Sequence, residues 1–300
     1  MRLVVLMVLA MVLWGGGWPA LKVVTAAGVD VEVVTFWRFF IMFAAFIPVL
    51  LWWRKPLRLP KKALPIILMS ALLNIAFMLI SYWGVERGTA GAGGVIITTL
   101  SPVLTTILAI WYFKATVTPR QWSGLLIGVA GGVVMLELWS LNLLHGGNLL
   151  FVLSALVWAV LTLMSQKSHL HLEPVHYSFF LAVAATVISF FTALPSGIGA
   201  VFDQDWHFWA AMLYLGVLGQ TVASTIFFIA SGAMGSGRAS SYMFLVPLSA
   251  LVSSFLLLGE VPSFWLVAGG AVASVSVYII NKRGVKASPE RRAADFGSNR

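Results

Sequence analysis

The chain holds 300 residues, 60% of them hydrophobic and 10% charged, with a mean hydropathy of +0.96. That is far more apolar surface than one water-soluble core can bury, so a soluble globular domain is excluded and lipid must be the solvent. The formal net charge of +9 accompanies no soluble basic face, which argues against a nucleic-acid partner, and the absence of cysteine excludes disulfides, thiolate nucleophiles and cysteine-bound metals.

A helix crossing the hydrocarbon core needs about 20 mostly apolar residues, and the apolar runs here recur with short polar breaks between them. Barrel strands would instead alternate polar and apolar residues over about ten positions. Taken in order, the runs and their breakers predict helices over 3–26, 33–53, 62–84, 90–113 and 121–138, then over 147–166, 176–195, 207–230, 237–258 and 262–281. The first, with Arg2 ahead and Thr25, Ala26 and Ala27 behind, has a second reading as a cleaved leader. Its likeness to a later helix argues that it is retained.

Charge placement tests this count. With the N-terminus inside, Arg2, Arg54, Lys55, Arg58, Lys61, Lys62, Lys114, Arg120, Lys167, Arg238 and the basic residues of 282–300 fall on the inner side, against Lys22, Arg38 and Arg87 outside. Asp30, Glu32, Glu86, Glu137, Asp203, Asp205 and Glu260 fall outside. Cytoplasmic loops carry the excess of Lys and Arg, so the expectation is a multi-pass protein of the cell's inner membrane with both termini cytoplasmic. The segment 282–300 then reads as a basic tail held against anionic lipid.

The chain also repeats itself. A shift of about 145 positions superposes Pro102 on Pro247, Gly124 on Gly269 and Lys22 on Lys167, with Trp14 and Trp158 one residue off that register. Two halves follow, 1–139 and 147–281, each with five helices. Because five is odd, the second half enters the membrane from the opposite side. The fold class expected is all-α, ten transmembrane helices in two inverted five-helix repeats, the architecture of alternating access about a midplane site. A carrier of a small-molecule substrate is the functional consequence.

Polar side chains at lipid depth are costly unless they face protein or water, so polar stripes mark inward faces. Helix three carries Ser70, Asn74, Phe77 and Ser81, with Tyr82 taken as a further candidate; helix four carries Thr98, Ser101 and Thr105 around Pro102. Helix six offers Ser154, Trp158 and Ser165; helix eight Gln220, Ser224, Phe227 and Ser231; helix nine Tyr242, Ser249 and Ser253. For the hydroxyls the alternative is close helix packing with hydroxyl hydrogen bonds between helices. In helix one, Met11, Trp14, Trp18 and Lys22 share a face, and Gly15, Gly16, Gly17 and Pro19 form a candidate hinge, as do Pro102 and Pro247. Trp18 reads either as a ligand-stacking ring or as part of an interfacial aromatic belt. Trp14 and Trp158, in corresponding places of the two halves, are candidates for a symmetric aromatic cavity. Lys22 and Arg38 lie near the outer surface, where long cations snorkel, or else one of them draws a substrate carboxylate. No Asp or Glu falls mid-span, which predicts facilitated or weakly proton-coupled transport.

The segment Leu13-Trp14-Gly15-Gly16-Gly17-Trp18-Pro19-Ala20-Leu21-Lys22, with Arg38, Leu100-Ser101-Pro102, Val246-Pro247 and Leu258-Gly259-Glu260, resembles EamA-type members of the drug/metabolite transporter superfamily. The resemblance covers 3–281 and implies ten helices, cytoplasmic termini, a central cavity lined by helices 1, 3, 4, 6, 8 and 9, and export of small metabolites. The overall look is closest to YddG-like amino acid exporters, which makes aromatic or large apolar amino acids the best guess and leaves drugs, nucleobases and other carboxylates as alternatives. One departure stands out: the Gly-Glu that commonly follows helix four is Lys114-Ala115 here, whereas Gly259-Glu260 is kept. An intramembrane enzyme finds no HExxH, no paired mid-span carboxylates and no phosphate loop, and a channel finds no selectivity ring. His169, His171 and Glu173 sit in a predicted loop where solvated side chains outweigh a metal site. No cofactor and no metal are expected, and the protein is expected to be a monomer or a weak homo-oligomer.

Overall fold

The computed structural model describes residues 2–53, 56–137, 147–259, 261 and 263–282. Arg54, Lys55, Glu260 and the tail beyond Lys282 lie outside the described residues. Every described element is helical. α1 is Arg2–Ala26, α2 Val31–Trp53, α3 Leu64–Arg87, α4 Ala90–Phe113, α5 Pro119–Met135, α6 Asn148–Ser168 and α7 Pro174–Ala193. α8, Trp206–Met234, is α-helical at both ends and π-helical over Tyr214–Ala223. α9 has three consecutive pieces: Ser236–Ser241, a 3₁₀ stretch Tyr242–Leu245, and Val246–Leu258. α10 is Phe264–Asn281.

Each predicted helix is present with ends moved by a few residues, and capping chemistry accounts for several of the moves. α5 starts two residues earlier than the apolar run because Thr118 and Gln121 form a reciprocal capping box and Pro119 fits the first turn, where its missing N–H is no loss. Thr89 caps α4 by accepting from Ala92 N at 3.2 Å, and Pro174 opens α7 in the same way as Pro119. α8 turns into α9 at Gly235, whose φ of +90° suits a residue without Cβ; the next amide, Ser236 N, donates to Gln166 Oε1 at 2.7 Å.

Among the described residues, nine helices are long and apolar enough to cross a membrane. α5, with 17 residues, is the shorter helix left out of that set. Their outward faces are apolar, as lipid requires, and large aromatic side chains stand exposed toward the helix ends: Trp52 and Trp111 at one end of the bundle, Trp206 and Phe264 at the other.

Helix partnerships exchange under a shift of five. α1 packs on α8 and α9 while α6 packs on α3 and α4; α2 pairs with α7 and α5 with α10; α2 touches α8 as α3 touches α7. Small residues permit the closest approaches. A Cβ on Gly131 would stand 2.7 Å from Gly269 O and 2.8 Å from Ala273 N, and one on Gly269 would stand 2.5 Å from Gly131 O, so the α5–α10 seam is backbone against backbone.

The candidate hinge in α1 is helical without interruption. Its glycines are contact points: Gly15 lies against Ser249 and Ala250 of α9, Gly16 against the Tyr214 ring of α8. Pro102 likewise sits inside a continuous α4. Pro247 does mark a change of geometry, because the 3₁₀ stretch ends two residues before it, at Leu245, and a proline removes the N–H that would continue the i→i−4 ladder.

Candidate functional site

A cavity of about 130 Å³ lies at the centre of the bundle, walled by α1, α2, α3, α4, α6, α8 and α9. Seven of the predicted site residues line it: Trp14, Trp18, Phe77, Tyr82, Thr98, Trp158 and Gln220. The aromatic side is a connected cluster. Trp14 and Trp158 meet edge to face with centroids 5.3 Å apart, Phe77 stands 4.8 Å from Trp158, and Phe227 packs 5.0 Å from Trp14 and 5.8 Å from Trp158. Each such pair adds about 0.5–1.5 kcal/mol beyond area burial, so the rings are held in place.

Ser81 and Ser224 of the polar stripes also line the cavity, whereas Asn74, Ser101 and Tyr242 do not. Asn74 sits one layer out, its Oδ1 accepting from Gln220 Nε2 at 3.4 Å. Ser101 is fully buried and donates to Ala155 O at 3.4 Å, tying α4 to α6. Tyr242 is buried in the 3₁₀ stretch of α9. Thr98, although in the wall, donates to Gly94 O at 2.6 Å. A hydroxyl that bonds its own helix four residues back has spent its proton and offers a ligand only its acceptor lone pairs.

The π-helical stretch shapes the opposite wall. Leu215, Gly219, Gln220 and Ser224 face the cavity, and the wider turn is pinned by Thr221 Oγ1 donating to Gly216 O at 2.8 Å and Ser224 Oγ donating to Gly219 O at 3.2 Å, both five residues back. Gly219 O also accepts Trp14 Nε1 at 3.1 Å. No apolar period in the sequence signals this stretch; its only trace is Gly216 and Gly219 placed five residues before Thr221 and Ser224.

Arg38 has two readings from the sequence, snorkelling at the outer surface or drawing a substrate carboxylate. It does not snorkel: it is 8% exposed and lines the cavity. Its Nη1 donates to Tyr82 OH at 2.9 Å and its Nη2 to Gln220 Oε1 at 3.5 Å, while its Nε has no hydrogen-bond partner in the protein. No Asp or Glu lines the cavity among the described residues. Trp158 Nε1, in the same wall, is likewise without a protein acceptor.

Two closures flank the cavity. Toward the α1–α2, α3–α4 and α9–α10 connections, a wider space of about 610 Å³ includes Lys22, Thr25, Thr89, Ser254 and Ser263. Trp18 lines both spaces, its ring packed on Gly94, where a Cβ would come within 3.1 Å. Toward the opposite end, α6 is fastened to α8: Ser165 Oγ donates to Ser231 Oγ at 3.0 Å, Ser231 Oγ to Thr162 O at 3.1 Å, and His169 Nε2 lies 2.9 Å from Phe228 O.

The family model described as the EamA-like transporter family matches twice, over residues 1–136 and 145–282. The chain belongs to the EamA-like transporter family. An uncharacterized transporter of Synechocystis sp. is 30% identical over 218 residues, 67% of this chain and 66% of that protein, so the match spans a little under two thirds of that relative's length. A probable terminal-alkyne amino-acid exporter of Streptantibioticus cattleyicolor is 24% identical over 92% of both chains. A solved crystal structure superposes with a TM-score of 0.73 over 94% of this chain and 97% of its own, at 17% identity, a likeness of fold alone. In this EamA-like chain the two matched halves each contribute one indole to the Trp14–Trp158 pair, and Arg38 brings α2 into the cavity wall alongside the helices that the resemblance implies.

Proposed function

We propose that the protein is an alternating-access carrier that exports small metabolites across the inner membrane, aromatic and large apolar amino acids foremost. The observation that carries this reading is the Trp14–Trp158 contact at 5.3 Å: corresponding positions of the two halves meet at the centre of the bundle, in an apolar chamber with a few polar groups. The exchange of helix partners under a shift of five and the doubled family match support two inverted repeats. The pairing of α5 with α10, like that of α2 with α7, supports reading α5 as a tenth span.

The two closures support alternating access. Trp18 forms the gate toward the wide 610 Å³ space, and the hydroxyl and His169 contacts between α6 and α8 form the gate at the other end. Opening one while the other stays shut exposes the same chamber to either side. The side of the α1–α2 turn is the external one, because the basic connections lie at the opposite end. The name of the exporter relative in S. cattleyicolor supports amino acids as the class. The absence of Asp and Glu from the described cavity wall supports facilitated or weakly coupled movement.

Purified protein in liposomes, given a panel of labelled amino acids with and without a proton gradient, tests this. Saturable uptake of phenylalanine, tryptophan or leucine is the expected result. Well-folded protein that moves none of the panel would remove the amino acid assignment and turn the search to nucleobases and drugs.

A further inference from the structure

We propose that Arg38 is the anchor for a substrate carboxylate, so that the cavity takes carboxylates with an aromatic or large apolar body and rejects cations and neutral analogues of the same shape. This deepens the carrier reading and rests on it for the identity of the ligand as cargo.

A guanidinium at membrane depth is expensive, and proteins keep one there paired with an anion or facing a polar pathway. Arg38 is 8% exposed and has no acidic partner among the described residues. Its two neutral acceptors, the Tyr82 hydroxyl at 2.9 Å and Gln220 Oε1 at 3.5 Å, occupy two of its five N–H donors. Gln220 is itself oriented by Asn74, whose Oδ1 accepts from Gln220 Nε2 at 3.4 Å. The pair is thus a positioned fork, with the Nε edge unsatisfied.

The other polar groups of the wall point to the same ligand chemistry. The Tyr82 hydroxyl, having accepted from Arg38, retains its own proton to donate, and Trp158 Nε1 is a second donor without a protein acceptor. An uncompensated cation and two donors, with no carboxylate beside them, match an anion with two acceptor oxygens, and planar bidentate pairing is the geometry guanidinium favours. The Trp14, Phe77 and Trp158 rings supply the face for the apolar body. An amine that lacks a carboxylate of its own meets a like charge and no counter-ion in this chamber, whereas an amino acid brings its own anion.

The test is calorimetric titration of the purified full-length protein at neutral pH with phenylalanine, 3-phenylpropionate, 3-phenylpropionamide and phenethylamine. The two carboxylates are expected to bind about tenfold or more tightly than the amide and the amine, as the loss of a hydrogen bond to a charged group predicts. Arg38→Gln should reduce that preference to near unity and Arg38→Lys should keep part of it. Equal binding of acid and amide by the unmodified protein, retention of the acid preference in Arg38→Gln, or binding of none of the four would overturn the anchor. The unmodified protein alone decides the first and last of these, so a variant that fails to fold leaves the test standing. Vesicle flux separates the two readings: acid-selective binding without flux removes the carrier and keeps the anchor, whereas equal flux of acid and amide removes the anchor and keeps the carrier.

Discussion

The indole N–H of Trp14 donates to the carbonyl of Gly219 at 3.1 Å across 205 positions of sequence. The same oxygen also accepts the Ser224 amide and, at 3.2 Å, the Ser224 hydroxyl, both five residues on in the π-helical register of α8. One contact therefore joins the aromatic wall of α1 to the backbone irregularity that shapes the opposite wall.

Trp14→Phe keeps most of the ring and deletes the donor. A loss of about 1 kcal/mol in stability, the scale of a hydrogen bond between helices in a membrane, is expected. Thermal unfolding in detergent would report it, and a melting temperature equal to the parent's would mean that the Trp14–Gly219 bond does not hold α1 against α8.

Trp158→Ala removes the ring that touches both Trp14 and Phe77, and amino acid flux should fall by about tenfold or more, the scale expected when stacking area in a pocket is deleted. Ser154→Ala breaks a 3.2 Å hydroxyl contact with Ser81, and its flux should stay within about threefold of the parent. Equal losses in the two variants would count against an aromatic chamber.

Gly131→Ala and Gly91→Ala make a paired test of the α5–α10 seam. A Cβ at Gly131 meets backbone atoms of Gly269 and Ala273 within 2.8 Å, whereas one at Gly91 meets nothing within 4 Å. Gly131→Ala should cost about 1–3 kcal/mol through overpacking, and Gly91→Ala should be neutral or slightly stabilising through helix propensity. Melting temperatures that fail to separate the two would show that the seam yields easily.

The helical segments were legible because apolar runs and their Pro, Gly and polar breakers are local signals, and Trp14 and Trp158 because the repeat aligned them. Arg38 was only half legible: a cation seven residues into α2 reads equally as snorkelling or as drawing a carboxylate until α3 and α8 are seen to close over it with Tyr82 and Gln220. The π-helical stretch escaped because it shows no apolar periodicity of its own, only hydroxyls of Thr221 and Ser224 that bond carbonyls five residues back. Ser101 and Tyr242 were placed in the site on polarity and face alone, and for Ser101 a carbonyl on α6 takes the proton instead.

The chain has no cysteine, so single-cysteine variants report topology without background. Ser254→Cys, in the wide space near the α1–α2 end, should react with a membrane-impermeant thiol reagent added outside intact cells. Thr116→Cys, on the α4–α5 connection, should react only after the membrane is opened. The reverse pattern would invert the orientation, and labelling of both from outside would contradict an odd number of spans between them.

Counterflow is the most direct test of a carrier built on one alternately exposed chamber. Vesicles holding the purified protein are loaded with unlabelled phenylalanine and diluted into a trace of labelled phenylalanine without any ion gradient. The label should accumulate transiently above its equilibrium level and then decay, and Trp158→Ala should abolish that overshoot. A monotonic approach to equilibrium at a rate that does not saturate would mean a continuous pore, and would contradict alternating access.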